Sequence, residues 1–366
     1  MKRLWRRFSR HRANLLGLWL VLALAALALF ADFIASDRPI AMRKGGTLYL
    51  LPNLVDHRDL RSFQPGDLRP GDWALWPPYR HGPATIPAPG TLDQPPPLPP
   101  GPGHPLGTDR AGRDTLARLL HGARTSLAVG VLAALVQVTA GLLLGVAAGF
   151  LGGAVDAAVT VACEVLLSFP LLLLLLAAQG VLERTSLLST IAVIGLTRWA
   201  ETSRLVRAEA LRVRELPFVE ASRAAGSPPL RTALRHVLPN CLSPALVSAA
   251  FGVGSAILLE SALSFLGFGA PEPIASWGAL MADGFQDVLD PGGRLLVLLP
   301  ALAIFLSVSA FNLVAEGLRD ALDPRAQGAV APSRFITSDQ KRALSPAPMP
   351  PGADAAPATY SVPLPK

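Results

Sequence analysis

The chain of 366 residues is 51% hydrophobic and only 16% charged, with a mean hydropathy of +0.41 and a net charge of +7. It is too apolar for a typical soluble globule and too long for a single anchor, so the bilayer is its expected solvent. Its cations are nearly all arginines gathered at the ends of apolar segments, which fits orientation in a membrane better than a nucleic-acid surface.

The basic start MKRLWRRFSRHR is followed by a first apolar run at residues 14–35. That run exceeds the roughly 7–15 apolar residues of a secretory signal and lacks a clear small-x-small cleavage site, so it reads as an uncleaved helix. Five more runs, each near the length of about 20 residues that a spanning helix needs, follow at 127–150, 155–178, 187–206, 242–265 and 295–316. The expectation is an all-α polytopic membrane protein with about six transmembrane helices. Lys and Arg near helix ends stay cytoplasmic, and Lys2, Arg3, Arg6, Arg7, Arg10 and Arg12 precede the first run. Six crossings return the chain to its starting side, which puts both termini and the segment 207–240 in the cytoplasm. Arg204, Arg207, Arg212, Arg214, Arg223, Arg231 and Arg235 enrich that segment or its edge, against Arg184 and Arg294 in the short loops opposite. The chain thus divides into an N-terminus with the first helix (1–36), a long extracytoplasmic loop (37–124), a five-helix core (125–320) and a tail (321–366).

Within the long loop, residues 48–79 hold enough aromatic and aliphatic side chains for a small ordered cap. Residues 87–105 are a proline-rich linker, because proline at that density blocks continuous helix and favours extended chain. GTDRAGRDTLARLLHGARTSL then reads as an N-capped amphipathic helix at the outer surface, with Leu116, Leu119 and Leu120 on its apolar side. The tail, rich in Ala, Pro and Ser, reads as disordered.

Lipid offers no hydrophobic drive between helices, so small residues mark close contacts. Gly141, Gly145 and Gly149 make one stripe on the second run, which should touch another helix. Ser168-Phe169-Pro170 predicts a kink in the third run, since proline removes a backbone hydrogen bond. Glu164 and Glu260 are the acidic residues nearest mid-membrane; a structural role as interhelical hydrogen-bond or pore-end groups accounts for both, and ion coupling is the alternative. Cys163 and Cys241 give neither a disulfide framework nor a metal-ligand spacing and read as small buried hydrophobes. No metal site is expected.

A polar interruption, EASRAAGSPPLRTALRHVLPN at 220–240, separates the fourth and fifth runs. Pro217 opens a short helix, Gly226 is a left-handed stop, and Ser227 with Pro228 supplies a cap and a first turn for a second short helix. Pro239 and Asn240 are expected to break that helix before the fifth run. Ala221, Ala224 and Ala225 leave one face flat for close approach by another protein, with Glu220 and Arg223 as polar anchors. On spacing alone, an amphipathic interfacial hairpin remains equally open.

The order Glu-Ala-x-x-x-x-Gly, nine residues, then x-x-Leu-Pro, met by Glu220, Ala221, Gly226, Leu238 and Pro239, resembles the cytoplasmic EAA loop of ABC importer permeases. HPLGTDRAGRDTLARLLHGARTSL, LLSFP, RHVLPN, LLESALSFLGFG and FNLVAEGLRDALDPR resemble the C-type subunit of the peptide and nickel permease branch. SDRPI, the LYLLP segment and WALWPPYRHG are further similar to the Yej-type oligopeptide and microcin C subgroup. Ser222 and His236 depart from the loop motif, and Val161 stands where relatives often carry a basic residue. The resemblance implies a type I ABC importer permease fold in a bacterial inner membrane. It also implies a second, B-type permease subunit, two ATP-binding subunits or one fused ATPase, a periplasmic solute-binding protein, and peptide-like cargo; nickel, dipeptides or another small solute are alternatives.

None of the lysines, Lys2, Lys44, Lys341 and Lys366, lies in a GxxxxGK[ST] phosphate loop, so this chain binds no ATP or Mg²⁺ itself and partner subunits use both. It is a transport subunit and not an enzyme, and nucleic acid is not among its partners. The segment 276–289, with Trp277, is read as a short gate or binding-protein contact. A secondary transporter would need repeats that are not detected, and an intramembrane enzyme would need a zinc motif or a nucleophile with its base, which are equally missing from the sequence.

Overall fold

The structure, a computed structural model, describes residues 2–55, 57–60, 63, 65–88, 95–182, 185–289 and 291–322. The disorder expected of the tail falls outside the described residues from 323 onward. Helix α1 (Lys2–Phe8) leads into α2 (Arg12–Leu29), and a break at Phe30 separates α2 from the single turn α3 (Ala31–Ile34), so the first apolar run is interrupted near its end.

The long loop then forms an antiparallel sheet in the order β2-β1-β3, from β1 (Ala41–Lys44), β2 (Thr47–Leu50) and β3 (Trp73–Leu75). Gly45 and Gly46, at φ +57 and +83, supply the two left-handed residues that a tight hairpin between Lys44 and Thr47 requires. Met42 lies opposite both Tyr49 and Ala74 and is fully buried. The ordered part of the loop therefore starts seven residues before 48, at Ala41, because the strand that completes the sheet comes first in sequence.

Asp114 caps the next helix by accepting from the Ala117 backbone N–H, and that helix, α4, runs from Thr115 to Leu151. Nothing between those residues breaks a helix, so the expected surface helix and second span are one element. Its 37 residues reach about 55 Å at 1.5 Å per residue, well beyond a hydrocarbon core of about 30 Å. Helices α5 (Gly153–Ser168) and α6 (Leu171–Val181) follow, bent by 95° at Phe169 and Pro170. Pro170 excludes helical backbone at Phe169, which sits extended at φ −92 and ψ 141.

Helix α7 (Leu187–Val213) starts from a reciprocal Ser186–Ser189 cap. Then come α8 (Pro217–Ala224), α9 (Pro229–Thr232), a π turn (Ala233–Val237), α10 (Leu238–Phe265), α11 (Trp277–Phe285) and α12 (Pro291–Leu322). Among the described residues, four helical stretches are long and apolar enough to cross a membrane: Arg12–Leu29, Thr115–Leu151, Pro229–Phe265 and Gly293–Leu322. The bent α5–α6 pair makes up to five. The remaining expected span, 187–206, is helical within α7, but Arg198, Glu201 and Arg204 make that stretch too charged to count by composition.

Helix α4 contributes to all three buried clusters. Val146 and Phe150 join α7 and α10; Ala123, Leu127 and Ala134 meet α2, α10, α11 and α12; Val129 and Ala133 meet α6, α7 and α10. Against α7 several glycines allow close backbone approach. A Cβ added at Gly141 would lie 2.6 Å from the Thr202 Cβ, at Gly145 2.7 Å from the Ser203 carbonyl oxygen, and at Gly149 2.7 Å from the Ala210 Cβ. Gly195 of α7 meets Val136 of α4 the same way, at 2.6 Å. Gln137 of α4 donates to Thr202 Oγ1 at 3.2 Å inside this contact.

At the N-terminal end of α4 a buried ionic cluster replaces apolar packing. Asp109 accepts from the Ala111 and Arg113 backbone N–H groups, each at 2.9 Å, and from Arg113 Nε at 2.7 Å, and it pairs directly with Arg118. Arg113 reaches Glu272 at 3.1 Å and Arg118 reaches Asp283 of α11 at 3.3 Å. Burial pushes the Asp283 carboxyl above the usual carboxylate range, opposed by the nearby Arg118 guanidinium. The Asp109 and Arg118 side chains are each 1% exposed.

Gly145→Val should lower stability by about 1–3 kcal/mol through overpacking against Ser203 and Val206. Gly180→Ala, where nothing lies within 4 Å of an added Cβ, should cause no loss; thermal unfolding in detergent compares the two. Asp109→Ala leaves two buried guanidinium groups short of a partner and should cost about 3–5 kcal/mol in the same measurement.

Candidate functional site

Helix α7 ends at Val213, and the chain turns through an extended Leu216 into α8, where Pro217 takes a first-turn position whose missing N–H has no helical partner to lose. Val219 is the buried side chain of α8. It sits among Val146 and Phe150 of α4, Val206, Ala210 and Val213 of α7, and Ala233, Val237 and Cys241 beyond the turn. Glu220, Ala221, Arg223, Ala224, Ala225 and Gly226 are all exposed. One side of α8 is thus fixed to three long helices, and the other is a surface of small residues bounded by Glu220 and Arg223.

The corner after α8 is closed by two hydrogen bonds of Schellman type: the Ser227 N–H donates to the Ser222 carbonyl at 3.2 Å, and the Gly226 N–H to the Arg223 carbonyl at 2.9 Å. Gly226 stands at φ +75, and a Cβ there would meet no neighbour within 4 Å. Its glycine requirement is therefore conformational and not steric. Ser227 does not cap the second helix. Pro229 keeps Pro228 out of helical backbone, at φ −57 and ψ 143, so α9 begins one residue later than the sequence suggested and has no side-chain cap.

Pro239 does not break the second helix either. Its missing N–H removes a bond to the Arg235 carbonyl, and the ladder widens instead of ending: the Leu238 N–H reaches back five residues to Ala233. Asn240 Nδ2 donates to the His236 carbonyl at 2.7 Å. Helix, π turn and span are continuous from Pro229 to Phe265, with Leu238 half-buried and Pro239 exposed.

Two contacts tie the hairpin to the C-terminal end of α4. The Arg223 guanidinium lies 4.8 Å from the Phe150 ring centroid, and Arg214 Nη1 donates to the Gly149 carbonyl at 3.1 Å. Ser222 Oγ and Thr232 Oγ1 meet at 3.3 Å between α8 and α9. Beside them, Pro228, Leu230, Arg231, Leu234 and Arg235 line an open groove of about 490 Å³.

The hairpin residues and Gly149 thus gather at one end of α4, with Gly145 and Gly141 further along the same contact. Trp277 lies at the other end. It is 1% exposed, and its indole N–H donates to the Leu119 carbonyl at 3.1 Å, so a contact with another protein through Trp277 is not available in this conformation. The segment 276–289, between the last two spans, reads from sequence as a short gate or binding-protein contact; in the structure Ser276 caps α11 and the Trp277 side chain is buried. Glu260 is fully buried, accepting from Ser126 at 2.8 Å and Ser264 at 2.7 Å, whereas Glu164 is exposed. Phe150 and the Asp109 cluster were not singled out by sequence; the charge density of DRAGRD was the available signal for the latter.

Residues 141–328 match the family of binding-protein-dependent transport system inner membrane components, and residues 1–52 match the N-terminal TM domain of oligopeptide transport permease C. The chain is 41% identical over 227 residues to a putative peptide transport system permease protein of Brucella suis, covering 62% of this chain and 75% of that protein. It is 39% identical over 223 residues to the oligopeptide transport system permease protein OppC of Haemophilus influenzae (61% and 70%). It is also 39% identical over 228 residues to the dipeptide transport system permease protein DppC of Bacillus subtilis (62% and 71%). Among solved structures it is similar to a chain of the MetNI methionine ABC transporter in inward-facing conformations, at 18% identity and a TM-score of 0.42, covering 55% of this chain and 96% of that chain. With the family match covering 141–328 and the relatives matching over most of their length, the chain belongs to the binding-protein-dependent transport system inner membrane component family.

Proposed function

We propose that this chain is the C-type permease subunit of an ATP-driven, binding-protein-dependent importer of oligopeptides or peptide-like compounds, and that its segment 207–240 couples the spans to the ATPase. The observation that carries the proposal is α8 itself, exposed on its small-residue face and anchored through Val219 into a cluster shared by α4, α7 and α10. A partner that moves α8 moves the ends of all three helices. ATP and Mg²⁺ belong to that partner, either two ATP-binding subunits or one fused ATPase, and this chain is not the catalyst. A second, B-type permease and a periplasmic solute-binding protein complete the assembly, and the names of the relatives favour peptide cargo over nickel.

Packing supports the orientation. Helix α2 meets the start of α4 through its C-terminal end, where Arg124 donates to the Ala28 carbonyl at 3.1 Å, and Gly317 of α12 packs on Asn14 near the start of α2. The N-terminus, the end of α12 and the hairpin therefore share one end of the bundle, and the long loop with α11 lies at the other. Arg6, Arg7, Arg10, Arg12, Arg223, Arg231, Arg235 and Arg319 support reading the first end as cytoplasmic under the positive-inside rule.

Closure of an ATPase dimer against α8 would bias the bundle between outward-open and inward-open states through differential contact with each. Ala221→Arg fills the flat face without touching the buried side, and should abolish co-purification of the ATPase while leaving the permease folded. Gly226→Val forces a β-branched residue into left-handed backbone, and should leave ATP hydrolysis in the reconstituted complex while peptide uptake is lost. Normal uptake and normal ATPase association in both variants would refute the coupling role; peptide binding to the cognate binding protein tests the cargo separately.

A further inference from the structure

Where the long loop returns to α4, three chemistry-bearing side chains converge. His81, His104 and Asp114 each offer one ligand atom, and these atoms all lie within 4.8 Å of one another. His104 Nδ1 and Asp114 Oδ2 are 2.7 Å apart. The carboxylate is held from both sides: Oδ1 accepts from the Ala117 N–H at 2.8 Å, and Oδ2 accepts from the Tyr79 hydroxyl. Tyr79 is itself pinned, donating its N–H to the Ile34 carbonyl at 3.0 Å and accepting from the Ser36 N–H at 3.1 Å. The imidazoles are tilted at 48° to each other with centroids 4.7 Å apart, Asp114 is buried, and both histidines are half-buried, which leaves one side of the triad open.

We propose that His81, His104 and Asp114 form a divalent-cation site that takes zinc and fastens the returning loop to the N-terminus of α4. Two imidazoles and a carboxylate are a donor set that zinc uses, with an open fourth position for water. Around a tetrahedral ion, with bonds of about 2.0–2.2 Å, the donor atoms would stand roughly 3.3 Å apart. The His104–Asp114 contact must open by about half an ångström and the His81 ring must close in by up to about 1.5 Å, movements within reach of half-buried side chains. The ion takes the place of the proton now bridging His104 Nδ1 and Asp114 Oδ2, with His104 carrying its proton on Nε2. Tyr79 stays as the outer donor that orients the carboxylate.

The test uses full-length protein without a histidine tag, in detergent, stripped with a chelator and titrated with zinc chloride by calorimetry. One zinc per chain is expected, with His81→Ala and His104→Gln each weakening binding by about tenfold or more. Zinc should raise the Tm of the native chain and leave that of the double variant unchanged. Cobalt added to the native chain reads the site without any substitution, and the intense visible absorption of a four-coordinate ion is expected. No zinc uptake, equal affinity in the double variant, or the weak absorption of six-coordinate cobalt would overturn the proposal and leave the triad as a hydrogen-bonded cap on α4.

Discussion

The contact that the rest of the architecture depends on is the backbone approach of α4 to α7. Between membrane helices there is little hydrophobic drive, so association rests on van der Waals contact and interhelical hydrogen bonds. Gly141, Gly145 and Gly149 on one helix and Gly195 on the other remove the side chains that would hold the two backbones apart. That closeness lets Gln137 reach Thr202, which in turn meets Ser248 of α10 at 2.8 Å. A polar ladder across three helices thus follows from the absence of four side chains. Beside it, Arg198 of the same helix donates to the Gly252 carbonyl at 3.3 Å and to Glu201 at 2.8 Å.

The two ends of α4 are held by different chemistry. At its start, charged groups are buried and mutually paired, and Asp109, Arg113 and Arg118 join the loop, α4 and α11. Pairs of this kind tolerate little displacement, since separating them exposes each charge to an interior that cannot solvate it. At its end, Val146 and Phe150 meet Val219 through apolar contact and Phe150 meets the exposed Arg223 through a cation–π interaction, contacts that can slide without leaving a buried charge unpaired. The rigid end supports the loop and the compliant end supports α8, a division suited to a chain worked from one side.

Much of this was legible in the sequence because it rests on local rules. The left-handed turn at Gly226 and the sharp bend before Pro170 follow from the conformational limits of single residues. The spans read less well. Hydrophobic run length found α2, α4, α10 and α12, but it split α4 in two, because the shift from charged to apolar composition near Leu127 resembles a boundary although no residue there stops a helix. Pro239 misled in the opposite sense: a π turn kept the helix going where proline chemistry predicted its end. Trp277 and the Asp109 cluster were opaque because their burial depends on elements far apart in the chain, such as Leu119 for the indole and Asp283 for Arg118. The family resemblance located the hairpin and its sequence landmarks; Val219 and Phe150 show how the hairpin is fastened.

The π turn at Ala233–Val237 sets an angular register. In an unbroken α-helix, Leu234 would point within about 20° of Cys241, seven residues on. Cys241 is fully buried, yet Leu234 is 53% exposed and lines the outer groove with Arg231 and Arg235. The wider turn works as a vernier between two faces that one helix must present in different directions, one to lipid-embedded neighbours and one to the groove. Removing a single residue from it would restore α-helical pitch and swing Leu230, Arg231, Leu234 and Arg235 by about 100° relative to the span. Chain length across those five residues, more than their identity, decides which way the groove faces.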